Sequence, residues 1–248
     1  VSGGGGGRIE VLDTTSGWPP KTEEEARRQV AAACRMVARY GHEDLTLGHV
    51  SVRGPGEGEV FVKAKGKALG EVTPADVLRV ELSSPEAHRA PGAHLETVLH
   101  LEAYRARPDV GAVIHTHPIY ATTLGATFGA LAFLTHDAVL FREGVGLFSE
   151  HVGMITTPED GRAVAAALGE RRAVLLKNHG VLVVGEDVRW AVLGAVTLER
   201  AARVQLTAGS APLSPIPESD LDEIRAAKYQ EPFLDEYWSA WTRMLAGR

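Results

Sequence analysis

The apolar positions of this chain switch repeatedly between a spacing of two and a spacing near 3.6, which sets out strands and helices in alternation. Residues 22–39 carry Val30, Ala33, Cys34, Val37 and Ala38 on one helical face. Thr22 with Glu25 forms a capping pair at the start, and Gly41 supplies a stop. Residues 49–53 and 60–63 read as strands joined by the turn Pro55-Gly56-Glu57-Gly58, a hairpin. A short helical start at 73–76 precedes another strand, 77–82. Residues 94–107 are helical in character and end at Pro108, and the apolar run 111–115 is a buried strand. Pro118 and Pro158 suit the openings of helices at 119–124 and 158–168, the second stopped by Gly169. Strands at 173–176 and 181–184 flank His179, and 188–206 is a long helix with an apolar stripe. A loop at 209–215 leads to a last helical region containing Tyr229, Phe233, Tyr237, Trp238 and Trp241, aromatic enough to join the core or dock on a neighbouring subunit.

Because several strands come as hairpins, the pattern predicts an α/β domain whose sheet is mixed or antiparallel, with helices on its faces. No repeat or linker divides it, so residues 19–248 are expected to form one domain with a C-terminal helical extension. Residues 1–18, with the run Gly3 to Gly7, are expected to be a flexible tail.

Composition narrows the partners. A hydrophobic content of 44% and a charged content of 23% are ordinary for a globular protein. A net charge of -6 argues against a nucleic-acid partner. No stretch approaches the roughly 20 apolar residues that span a bilayer. Cys34 is the single cysteine, so no intrachain disulfide forms; its apolar neighbours make it a small core residue, and a reducing, cytoplasmic setting is expected.

Histidine changes the picture. The chain has 10, and His115-Thr116-His117 stands at the end of a buried strand. Residues i and i+2 of a strand point to one side, so these two imidazoles can meet at one ion. His179, in Lys177-Asn178-His179-Gly180, follows another apolar strand. Three histidine ligands leave a tetrahedral shell with one open position, as a catalytic metal requires. Glu96, His100 and Tyr104 recur at four-residue intervals and share a helical face, so Glu96 is a candidate general base if that face approaches the ion.

The segments Glu96-x-x-x-His100-x-x-x-Tyr104-x-x-Arg107-Pro108-Asp109-Val110, Ala112-Val113-Ile114-His115-Thr116-His117-Pro118 and Lys177-Asn178-His179-Gly180 closely resemble the class II aldolase/adducin family. The resemblance runs from the first helix through the long helix at 188–206. It implies a three-layer α/β/α fold with a central, mainly antiparallel sheet, usually assembled as a homotetramer. It implies one divalent ion per subunit, zinc first with manganese or cobalt as alternatives, on His115, His117 and His179, with Glu96 as acid/base. It also implies chemistry through a metal-stabilised enolate.

This chain departs from the phosphosugar members. It has Gly48-His49 where they have Gly-Asn, Lys63-Ala64-Lys65-Gly66 where they have a hydroxyl-bearing glycine segment, and His94-Leu95 where they have paired serines. The tyrosine of fuculose-type aldolases aligns near His136-Asp137, where no tyrosine stands. The remaining substrate-binding candidates are His49, Arg53, Lys63, Lys65, His94 and His136, with both lysines read as lying on one side of an extended segment. The segment from Gly48 to Arg53 is more similar to the family's decarboxylases. The expected function is therefore a metal-dependent carbon–carbon lyase. Its small-molecule substrate is expected to be a non-phosphorylated hydroxy or oxo carboxylic acid that loses carbon dioxide. Aldol cleavage of a hydroxy-carbonyl compound is the alternative. Epimerisation and a metal-free, adducin-like scaffold are remoter ones.

Overall fold

The structure is a computed structural model and describes residues 17–247. The first helix, α1 (Glu23–Val37), begins where the Thr22 hydroxyl accepts from the Glu25 N–H and unwinds after Val37 into a wide turn in which Gly41 takes φ +88°. Strands β1 (His49–Arg53) and β2 (Glu59–Lys63) form the expected hairpin, and β3 (Val77–Glu81) pairs beyond β2. There follow α2 (Thr97–Ala106), β4 (Ala112–Thr116), α3 (Ile119–Thr127), β5 (Gly146–Phe148), α4 (Pro158–Leu168), β6 (Ala173–Leu176) and β7 (Gly180–Gly185). The chain closes with α5 (Val188–Ala208), α6 (Leu221–Lys228) and α7 (Glu231–Leu245).

The seven strands form one sheet in the order β3-β2-β1-β4-β7-β6-β5. Every neighbouring pair is antiparallel except β5 with β6. The mainly antiparallel α/β arrangement expected from the hairpins is therefore what forms. Alternation along the strands divides the core in two. Val50, Val52, Phe61, Ala112, Ile114, Val181 and Val183 face α1, α3, α5 and α7. Val60, Val62, Val113, Val174, Leu182 and Val184 face α2 and α4. These are the outer layers of a helix–sheet–helix sandwich.

The aromatic C-terminus belongs to the first of these layers. Leu234, Trp238 and Trp241 are buried there, and the Arg189 guanidinium holds α7 by donating to Glu231 and Asp235. Trp18 packs edge-on against Trp238 at 5.1 Å, so the domain includes a residue that its place beside a glycine-rich run had assigned to the tail. The remainder of that tail, residues 1–16, lies outside the described residues. Among the described residues no helix is long and apolar enough to cross a membrane.

Candidate metal centre

β4 is the middle strand of the seven, flanked by β1 and β7, and its five residues are all buried. His115 sits opposite His49 on β1 and Leu182 on β7. His117 follows just past the strand end on the same side. The β6–β7 turn returns His179 to them, because Asn178 adopts a left-handed φ of +58°, a conformation asparagine tolerates better than most residues. The ring centroids of His115, His117 and His179 lie 4.9, 5.1 and 5.3 Å apart. Glu96, at the N-cap of α2, completes a group whose four potential ligand atoms all lie within 4.8 Å of one another.

Hydrogen bonds fix which nitrogens face this point. His115 Nδ1–H donates to the Val181 carbonyl at 3.0 Å, and His117 Nδ1–H donates to the Asp44 carboxylate at 3.0 Å. Each ring therefore turns a lone pair on Nε2 inward. His115 Nε2 is fully buried and has no hydrogen-bond partner, a costly state that a bound cation relieves. Orienting carbonyl and carboxylate partners are also what ligating imidazoles have. The donor set thus fits a divalent ion. Burial, then the neighbouring imidazoles, push His117 down to about 4, which keeps it neutral and able to ligate.

Glu96 Oε1 accepts from the Ile155 N–H at 2.7 Å, and Oε2 lies 3.6 Å from His115 Nε2 and 3.4 Å from His179 Nε2. The loop before α4 therefore orients a carboxylate beside the ligand cluster.

Three members of the cluster, Glu96, His117 and His179, line a cavity of about 560 Å³, with His115 buried behind them. His49 and His94 line it, and exposed Lys65 stands at its edge. The other substrate-binding candidates lie elsewhere. Lys63 is fully buried and donates to the Thr46 and Ala64 carbonyls, with Nζ 3.1 Å from His94 Nε2. The two lysines separate because β2 ends at Lys63 and the chain turns at Gly66, φ +87°. Arg53 donates to the carbonyls of Tyr104, Arg107 and Val110 at the end of α2, outside the cavity. His136 borders a different cavity with Tyr40, Glu199 and Arg203. Sequence reasoning missed Asp44, which no spacing ties to His117. It also missed the apolar rim of Leu47, Leu95, Val152 and Met154, whose last three are 67, 61 and 55% exposed. The unexplained apolar residues in otherwise polar loops were the only signal for that rim.

Residues 28–206 match the family model for the Class II Aldolase and Adducin N-terminal domain. The chain belongs to the class II aldolase/adducin family. Among its relatives is a 4-hydroxy-3-prenylphenylpyruvate oxygenase/4-hydroxy-3-prenylbenzoate synthase of Streptomyces roseochromogenus subsp. oscitans. The two are 35% identical over 73% of this chain and 67% of that protein. A 3,4-dihydroxyphthalate decarboxylase of Arthrobacter keyseri is 31% identical over 84% of this chain and 89% of its own length. The L-fuculose 1-phosphate aldolase of Glaciozyma antarctica PI12 superposes with a TM-score of 0.77 and 24% identity. That alignment covers 95% of this chain and 96% of the other. With its three histidines and Glu96 assembled, this member of the family is a metal-dependent lyase rather than a scaffold.

Proposed function

We propose that the chain decarboxylates a non-phosphorylated hydroxy or oxo carboxylic acid with an apolar, aromatic-sized body. One observation carries this reading: the cavity brings the apolar side chains of Leu47, Leu95, Val152 and Met154 together with the imidazoles of His49, His94, His117 and His179 and the carboxylates of Asp44 and Glu96. Such a site favours a flat apolar body bearing oxygens at one end. The Arthrobacter relative, named for a dihydroxylated aromatic dicarboxylate, supports that class. His49 and His94 occupy positions where a phosphate would meet small hydroxyls and amides in phosphosugar enzymes.

His115, His117 and His179 would hold the ion, with Glu96 beside it. When bound, a divalent ion, zinc by its suitability for three imidazoles, supplies Lewis-acid stabilisation of the negative charge that develops as the carbon–carbon bond breaks. Glu96 takes the proton of the substrate's hydroxyl and returns it to the carbon that bears the carboxylate, as the oxygen's electron pair moves into a carbon–oxygen double bond; the carbon–carbon bond then breaks, carbon dioxide departs, and the bonding pair flows back to the oxygen. Lys65 at the rim pairs with a second carboxylate. We further propose a homotetramer in the cytoplasm, from the family resemblance and the single buried cysteine; light scattering on the purified protein tests the first.

The deciding assay gives metal-replete enzyme hydroxylated phthalates, aliphatic oxo-diacids and sugar phosphates, and follows carbon dioxide and aldehydes together. Carbon dioxide from the aromatic acids is the expected result. Aldehyde release from sugar phosphates alone would overturn the proposal.

A further inference from the structure

A second buried polar arrangement lies beneath the cavity, on the face of β1 that looks toward α2. His49 Nδ1 is 2.6 Å from His100 Nε2, His100 Nδ1 is 2.6 Å from Ser51 Oγ, and Ser51 Oγ is 2.8 Å from Tyr104 Oη. All four residues are buried, and only His49 borders the cavity.

The direction of this chain of hydrogen bonds is determined from its far end. Among the described contacts, the Tyr104 hydroxyl proton has one acceptor, Ser51 Oγ. Leaving a buried hydroxyl proton without an acceptor is heavily penalised. Tyr104 therefore donates to Ser51, and Ser51 donates its own proton to His100 Nδ1. His100 then carries its proton on Nε2 and donates to His49 Nδ1. His49 is left with its proton on Nε2, the nitrogen that His100 does not occupy. Running the chain the other way strands the Tyr104 proton in the core.

We propose that Tyr104, Ser51 and His100 are positioning residues that lock His49 as an Nε2–H donor toward the substrate cavity, where it selects a substrate carboxylate oxygen. The donor state follows from the hydrogen-bond chain alone; that the acceptor is a carboxylate rests on the decarboxylase reading above. A fixed donor accepts an oxygen acceptor and rejects a group that can only donate, and discrimination through buried polar groups is steep.

Two measurements test the two halves separately. The first is ¹⁵N NMR of metal-free protein labelled at histidine, which reports which ring nitrogen holds the proton. His49 is expected as one Nε2–H tautomer between pH 6.5 and 8. Ser51→Ala is expected to shift it toward a mixture of tautomers, and Ser51→Thr to restore it. A wild-type His49 protonated on Nδ1, or averaged between nitrogens, would overturn the lock. The second is titration with phthalate as an inert dicarboxylate probe. His49→Gln, which keeps a donor at similar reach, is expected to bind within a few-fold of wild type. His49→Glu, which offers only an acceptor, is expected to lose about 100-fold or more. Equal weakening in both variants would overturn the carboxylate half. Loss of decarboxylase activity against every acid tested, with the tautomer intact, would count against the functional reading and not against the lock.

Discussion

Asp44 accepts the Nδ1–H of His117 at 3.0 Å, from a loop 73 residues away in sequence. The carboxylate holds the ring with Nε2 turned inward and makes that nitrogen a better ligand. Asp44→Ala is expected to weaken zinc binding by about 10- to 100-fold without unfolding the domain. Competition with a chelator measures the affinity, and circular dichroism checks the fold. Unchanged affinity would show that His117 needs no such partner.

His115→Ala removes the most buried member of the group and is expected to abolish metal uptake, read by elemental analysis. Glu96→Gln is expected to keep the ion and lower turnover by about 10²- to 10⁴-fold, the usual value of a positioned acid/base. Glu96→Gln protein purified without metal would instead make Glu96 part of the ion's hold.

Gly180 follows His179 because no side chain fits there. A β-carbon would lie 2.6 Å from both His117 Cδ2 and the Thr116 carbonyl oxygen. The carbonyl belongs to the central strand and has little room to yield, so the His117 ring must move. Gly180→Ala is expected to reduce metal affinity more than stability, which a chelator titration beside a thermal melt distinguishes. A melt lowered by several degrees with normal metal affinity would assign the glycine a purely structural part.

Much of this was legible in the chain itself. Short apolar runs placed β4 and β7, and the His-x-His spacing at the end of β4 gave two imidazoles on one side, because the period of two is a local property. Long-range pairing is not local. Nothing in the spacing joins Asp44 to His117, or sends Arg53 to cap the end of α2 instead of entering the cavity. β5 was missed because three residues are too few to show a period. Lys63 and Lys65 were read as neighbours on an extended segment, yet the turn at Gly66 buries the first and exposes the second. His136 has no local feature that marks it as belonging to another cavity.

Cys34 lies fully buried on α1, and burial pushes its thiol up to about 12. The nucleophilic thiolate is then scarce at neutral pH, and access is blocked as well. Native protein at pH 8 is expected to resist iodoacetamide for hours, while urea-unfolded protein reacts within minutes. Fast native labelling, followed by mass spectrometry, would mean that α1 detaches readily.

His42 is buried beside the Thr116 hydroxyl, with Nδ1 2.8 Å from Oγ1, and burial lowers its pKa from 6.5 to about 4. Folded protein therefore keeps this ring neutral down to about pH 4, whereas the unfolded chain protonates it near 6.5. Between those values the unfolded state binds more protons, so acid favours unfolding. The stability tied to His42 is complete above about pH 6.5 and is lost as pH falls toward 4, by about 3 kcal/mol at the rate of 1.36 kcal/mol per pKa unit. Urea unfolding of metal-free protein at pH 7.5 and 4.5 is expected to show a clearly lower midpoint in acid. His42→Gln is expected to narrow the difference, because a group that does not titrate contributes nothing to the slope. Wild-type protein with one midpoint at both pH values would mean that the ring takes up its proton in the folded state as easily as in the unfolded one.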